Sequence, residues 1–298
     1  MEHMPRDTQP FGLSCALTTP FEADGAVDLA RLVAQAGWCL EQGCNSVTVF
    51  GTTGEGASIG LSARRAILAA LAEAGFDFGR SVVAGVAASA MEDALEQARL
   101  AYDHGCRAIL LAPPFYFKNP SEEGLFRWFG AFLDGLGDAA RDVILYNIPS
   151  VTAVPLPVSL ITRLREAHPQ AILGVKDSSG DWAYAQALLA AHRDLVILIG
   201  DERRLAQAVR IGAQGAISGM ANIHPDRLLR MIGTGEPDAA MDEAVDELLK
   251  YPVTPAVKAL VAARTGDPAW AIPRAPLLPL SAGEAGALGA RLRAIFTS

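Results

Sequence analysis

Residues 171–191 read AILGVKDSSGDWAYAQALLAA. The first seven form an apolar run of strand type that halts on Lys176 and Asp177. The run from about Trp182 to Ala191 has helical spacing. The same couplet recurs on both sides. Downstream, LVILIGD (195–201) precedes helical sequence from about Arg203 to Ile211, and AQGAISG (213–219) precedes helical sequence from about Pro225. Upstream, DVILYNIP (142–149) precedes 157–167, RAILLAPP (107–114) precedes 121–136, and SVVAGVA (81–87) precedes 91–104. NSVTVFG (45–51) leads to a helix starting near Ser62, and LSCALTTP (13–20) to one over 28–42. Eight strand-then-helix units result. Strands apolar on both faces belong to parallel sheets covered by their own crossover helices. Eight at this spacing match a closed (β/α)8 TIM barrel, an α/β fold, better than an open doubly wound sheet. An open sheet would usually announce a nucleotide-binding turn, and neither GxGxxG nor GxxxxGK[ST] occurs. Alternation stops near residue 236. The expected organisation is a tail over 1–11, a barrel over 12–235 and a helical region over 236–298.

The chain has 298 residues, 51% of them hydrophobic, enough for a sizeable core. Its net charge of −8 leaves no electrostatic footprint for nucleic acid. No apolar stretch reaches a membrane span without charges or Gly/Pro breaks, and the N-terminus carries no apolar signal segment. Cys15, Cys39, Cys44 and Cys106 form no CxxC pair, which suits free thiols in a reducing cytoplasm. The five histidines are scattered, so no metal is expected.

Barrel chemistry lies at the C-terminal ends of the strands, and Lys176 stands at one of them. It is either a solvated cation, paired with Asp177, or an amine nucleophile held in a pocket. A lysine amine attacks only when neutral, and burial in an apolar barrel mouth favours the neutral form. Other strand ends bear on the choice. Gly51-Thr52-Thr53-Gly54-Glu55-Gly56 follows the second strand. It is an ordinary Gly-rich turn, or one whose N–H groups and hydroxyls hold a carboxylate or phosphate. Tyr146 follows the fifth strand, as a core aromatic or a proton carrier. Phe115-Tyr116-Phe117 follows the fourth and could close a pocket or cross a subunit interface. Asp201 and Glu202 follow the seventh, as helix-capping acids or as acceptors for polar substrate groups. One mechanism uses several together. The ketone of a 2-oxo acid condenses with Lys176, its carboxylate sits on the Thr52-Thr53 turn, and the Tyr146 hydroxyl shuttles the proton. A phosphate-binding barrel would need Gly-rich loops after strands seven and eight, where Gly215 and Gly219 are too few.

Gly51-Thr52-Thr53-Gly54-Glu55, Tyr146-Asn147-Ile148-Pro149 and Gly174-Val175-Lys176-Asp177, in this order and spacing, resemble the motifs of the dihydrodipicolinate synthase/N-acetylneuraminate lyase family. The resemblance runs from about Gly12 to the C-terminus and includes Pro255 and Lys258. It implies a (β/α)8 barrel with C-terminal helices, a homotetramer, a lysine Schiff base with pyruvate or a related 2-oxo acid, and no metal or organic cofactor. By position, Lys176 resembles the Schiff-base lysine, Tyr146 the proton-shuttling tyrosine and Thr52 the relay hydroxyl. Thr53 resembles the carboxylate binder, in the same turn as Gly51. Ile217 resembles the residue whose backbone faces the bound pyruvate unit. In the synthases a tyrosine from a neighbouring subunit completes the relay. The segment Pro114 to Pro120 is one residue longer than the family pattern. Counting from Pro114 makes Tyr116 the counterpart, and counting back from Pro120 makes it Phe117. Tyr116 is favoured because it has the hydroxyl.

Val151 stands where the synthases normally carry an arginine that binds the aldehyde's carboxylate, and no basic residue stands nearby to replace it. Lyases of sialic acid and of 2-keto-3-deoxy sugar acids also lack that arginine. Asp201 and Glu202 resemble the acidic pair that binds sugar hydroxyls in the sialic acid lyases. The resemblance therefore favours an aldolase or dehydratase of a 2-keto-3-deoxy sugar acid. The alternatives are a synthase condensing pyruvate with aspartate semialdehyde and a non-catalytic 2-oxo acid binding paralogue, which would need no proton relay.

Overall fold

The computed structural model describes residues 11–297. The expected N-terminal tail lies outside the described residues except for Phe11, which is buried in the barrel interior. Eight strands pair in parallel and in chain order: β1 (Gly12–Ala16), β2 (Ser46–Val49), β3 (Val82–Val86), β4 (Ala108–Leu111), β5 (Val143–Asn147), β6 (Ile172–Asp177), β7 (Val196–Ile199) and β8 (Gly215–Ser218). β8 returns to β1 through Gly12↔Gly215 to Cys15↔Ser218, closing the barrel. The helices following the strands are α1 (Leu29–Glu41), α2 (Leu61–Glu73), α3 (Met91–Asp103), α4 (Glu122–Leu136), α5 (Val158–Ala167), α6 (Trp182–Ala191), α7 (Glu202–Arg210) and α8 (Pro225–Thr234). Then come α9 (Ala239–Leu248), α10 (Val253–Thr265) and α11 (Ala282–Thr297). The fold is the TIM barrel that the alternation predicts. No described helix is long and apolar enough to cross a membrane.

The strands are apolar on both faces because both are buried. Side chains alternate along each strand. Val83, Leu110, Ile144, Leu198 and Ile217 fill the barrel interior as one cluster. Their neighbours Leu145, Val175 and Ile197 join the second cluster, with Leu160, Leu188 and Leu205 of the surrounding helices. The 171–191 stretch turns from strand to helix at Asp181, whose carboxylate accepts from Ala183 and Tyr184 N–H and caps α6. LSCALTTP is strand only as far as Ala16, shorter than its composition predicts. Past that point Thr18 N–H donates to Asn222 Oδ1, and the Thr19 hydroxyl donates to the Gly54 carbonyl. The segment leaves the ladder to hold two loops at the barrel mouth.

Two glycines let the backbone close. A Cβ on Gly174 would stand 2.0 Å from the Val196 carbonyl oxygen of β7, and one on Gly215 would stand 1.9 Å from that of Gly12. Gly174 also lies at the register shift between β5 and β6, where Val143 pairs Ile172 but Ile144 pairs Gly174. Gly174→Ala is therefore expected to destabilise the barrel by roughly 3 kcal/mol. The urea midpoint measures this, and an unchanged midpoint would mean that the β6–β7 spacing is set elsewhere.

Candidate active site

The register of β5 against β6 sets Tyr146 opposite Lys176 and Asn147 opposite Asp177. The first pair points inward and the second outward, because side chains alternate along a strand. Lys176 is 5% exposed. Its Nζ donates to the Tyr146 hydroxyl at 3.2 Å and lies 4.4 Å from the centre of that ring. The Tyr146 hydroxyl is 3.3 Å from Thr52 Oγ1. Amine, phenol and hydroxyl thus form one chain across β6, β5 and the turn after β2. Asp177 does not take the lysine as partner. Its Oδ1 accepts from Asn147 Nδ2 at 2.9 Å and from Ser179 N–H at 3.1 Å, while burial pushes its carboxyl above the usual range. Asn147 Oδ1 accepts from Leu156 N–H, fixing the loop beyond β5.

The turn after β2 is held from several sides. Glu55 N–H donates to the Thr52 carbonyl and Gly56 N–H to that of Gly51. Among the described residues no acceptor takes the Thr52 or Thr53 N–H. Thr53 is buried, and Ile217 is buried in the interior cluster. Glu55 stands at φ 57° and its carboxylate points into the protein, where it pairs with Lys258 of α10 and accepts from Arg274 N–H. Both side chains of the Glu55–Lys258 pair are buried. Desolvation lowers Lys258 to about 8, with the Glu55 charge opposing the drop. The Thr254 hydroxyl of α10 donates to the Thr52 carbonyl. Arg64, fully buried, donates to the carbonyls of Gly56, Ile59 and Gly85, and its guanidinium lies 4.4 Å from the centre of the Phe50 ring. Sequence reading assigned no role to Glu55, Arg64 or Arg274 and noted Lys258 only as part of the resemblance. One signal was available: Lys258 interrupts the otherwise apolar run PAVKALVAA (255–263).

A cavity of about 510 Å3 has Gly51, Thr52 and Tyr146 in its wall, and Lys176 lies behind Tyr146, outside the lining residues, as do Thr53 and Ile217. α10 and the following segment form another part of that wall through Val253, Thr254 and Leu277. Val151, 60% exposed, stands at its edge. The expectation that no basic residue stands near Val151 needs correction. Lys118 Nζ donates to the carbonyls of Phe115 and Thr152, because the loop after β4 folds beside the loop after β5. Tyr116 and Phe117 are 73% and 76% exposed and stack edge to face on each other. Neither bonds to Lys176, Tyr146 or Thr52. Asp201 caps α7 and takes both Nε and Nη2 of Arg203. Glu202 is buried, accepts the Ser218 hydroxyl at 2.6 Å, and is raised by burial. Neither carboxylate lines the cavity.

Residues 9–295 match the model of the Dihydrodipicolinate synthetase family. The chain belongs to that family. It is an enzyme of the lyase class. An "Uncharacterized DapA-like lyase" of Chloroflexus aurantiacus is 37% identical over 97% of this chain and 98% of its own. A 4-hydroxy-tetrahydrodipicolinate synthase of Saccharophagus degradans is 34% identical over 74% of each chain. The crystal structure of dihydrodipicolinate synthase from Agrobacterium tumefaciens superposes with a TM-score of 0.94 at 51% identity, covering 96% of this chain and 99% of that one. A variant of Sulfolobus solfataricus 2-keto-3-deoxygluconate aldolase shares the fold, with a TM-score of 0.81 at 20% identity over 96% of each chain.

In this family member the Glu55–Lys258 pair ties the C-terminal helices to the turn that carries Thr52. Lys258→Met strands a buried carboxylate and is expected to cost about 3–5 kcal/mol. Adding Glu55→Gln should restore much of that loss. Urea unfolding of the two variants checks this, and equal midpoints for single and double variants would contradict it.

Proposed function

We propose that this lyase forms a Schiff base between Lys176 and pyruvate or a related 2-oxo acid, and makes or breaks the neighbouring C–C bond. The observation that carries this is the unbroken chain from Lys176 Nζ through the Tyr146 hydroxyl to Thr52 Oγ1. The amine adds to the ketone carbon. The ketone oxygen departs as water, with protons passed through Tyr146 and Thr52, leaving an imine. The substrate carboxylate is held by the Thr52 and Thr53 N–H groups and the Thr53 hydroxyl, beside Gly51, while the Ile217 backbone faces the three-carbon unit. Loss of a proton from the adjacent carbon gives an enamine. That carbon attacks an aldehyde carbon, the aldehyde oxygen takes a proton, and water hydrolyses the imine to return the amine. Cleavage is the reverse. In a dehydratase the same enamine expels hydroxide from the next carbon, and it leaves as water.

Within the class, an aldolase or dehydratase of a 2-keto-3-deoxy acid fits better than the synthase, because Val151 offers no charge to a second carboxylate. The sugar acids are the type expected from the sequence. Asp201 and Glu202 add nothing to that choice, since both are engaged within the protein. Condensation of pyruvate with aspartate semialdehyde is the second reading, favoured by the synthases among the relatives and by the Lys118 ammonium beside Thr152. The proposal includes a homotetramer in which the exposed Tyr116 of one copy reaches the site of another.

Borohydride with pyruvate should trap a covalent adduct on Lys176, and Lys176→Ala should abolish it. An adduct that persists in Lys176→Ala would remove the lysine from the scheme. Tyr146→Phe should keep the urea midpoint close to that of the parent and slow turnover by roughly two to four orders of magnitude. Full activity in Tyr146→Phe would end its role as proton carrier. Sedimentation should show four copies per particle, and a monomer at working concentration would exclude the Tyr116 arrangement.

A further inference from the structure

The wall of the cavity beyond Thr52 and Tyr146 is apolar. Ala112, Phe115, Ile148, Val151, Val253 and Leu277 face it from four separate parts of the chain. The one charged side chain among the described lining residues is Glu55, and both of its oxygens are committed, to Lys258 and to Arg274 N–H. The lining hydroxyls of Thr152 and Thr254 donate to the carbonyls of Ile148 and Thr52. Lys118, the ammonium beside this wall, is exposed and donates to two backbone carbonyls.

We infer that the second substrate of this site is an uncharged aldehyde with an apolar substituent, and that the matching cleavage substrate is a 4-hydroxy-2-oxo acid with an apolar tail. This rests on the Schiff-base function proposed above and deepens it. A carboxylate brought against this wall loses water and meets no cation among the lining residues, and Lys118 beside them already donates to two carbonyls. A polyhydroxylated chain loses its hydrogen bonds to water and finds the Thr152 and Thr254 hydroxyls already donating to carbonyls. An aliphatic chain leaves water for apolar contact and loses nothing polar. The step balances as written for the aldol addition: pyruvate and the aldehyde combine, one C–C bond forms, the aldehyde oxygen becomes a hydroxyl, and the water lost in forming the imine is returned in its hydrolysis. Val151 is the specificity residue, because it presents a branched alkyl group at the edge of this wall.

The test uses the full chain. Borohydride trapping with pyruvate is run first. Addition of pyruvate to 2-methylpropanal, glyceraldehyde and aspartate semialdehyde is then compared by kcat/KM for each aldehyde. 2-Methylpropanal should exceed both others by about tenfold or more. Val151→Arg should raise the semialdehyde rate relative to 2-methylpropanal by about tenfold or more, through a charge-assisted bond to the carboxylate. Trapping with glyceraldehyde equal or preferred would overturn the inference and leave the Schiff-base function standing. Preference for the semialdehyde would overturn it too and would assign Lys118 as the recruited cation. No trapping at all would overturn both.

Discussion

The pairing of β5 with β6 in the register Tyr146↔Lys176 is the constraint on which the candidate site depends. Sheet register is quantised. A slip of one residue would turn Lys176 outward into the helix layer and bring Asp177 inside. Two neighbouring features hold the register. Asn147 and Asp177 bond to each other on the outward side of the adjacent rung, and Gly174 admits the Val196 carbonyl at a distance no side chain would allow. The amine and the phenol therefore meet as a consequence of strand geometry, with no flexible loop between them.

A second layer of positioning comes from outside the barrel. The turn bearing Thr52 has its own internal bonds, but its placement is enforced by Arg64 beneath it and by Lys258, Thr254 and Arg274 from the C-terminal region. Buried charges of this kind are costly unless matched. Here each is matched by carbonyls or by an opposite charge, so the cost of burial becomes a penalty for any displacement of the turn. The helices beyond the barrel are thereby part of the site, contributing both its clamp and part of the cavity wall.

The groups proposed to meet substrate and those that hold the scaffold divide along the same line. Lys176, Tyr146 and Thr52 bond mainly to one another, which leaves them free to exchange protons. Asp177, Glu55, Asp201 and Glu202 spend their oxygens on the protein. A carboxylate already saturated with donors has little left to offer a ligand. The four acids close to the barrel mouth consequently shape it without marking it as a site for hydroxylated or cationic molecules.

The order of eight strand-helix couplets and the barrel they build were legible in the sequence, because period and spacing are local properties that burial on both strand faces imposes directly; the end of the first strand was not, since Thr18 and Thr19 leave the ladder for partners far along the chain. Lys176, Tyr146 and Thr52 could be named for the same reason: each stands where a strand or its turn must end. Whether a given polar residue is free or engaged is not local. Asp201 and Glu202 carry the same pattern whether they cap α7 or face a ligand, and only the packing of Arg203 and Ser218 against them decided it. Lys118 lies far from Val151 along the chain and is brought beside it by two loops that the sequence leaves unplaced. The Lys258–Glu55 pair spans 203 positions, and no periodicity in either segment encodes the partner of the other. Local spacing determined the barrel and the chemical types at its mouth; long-range contacts decided which of them are already engaged within the protein.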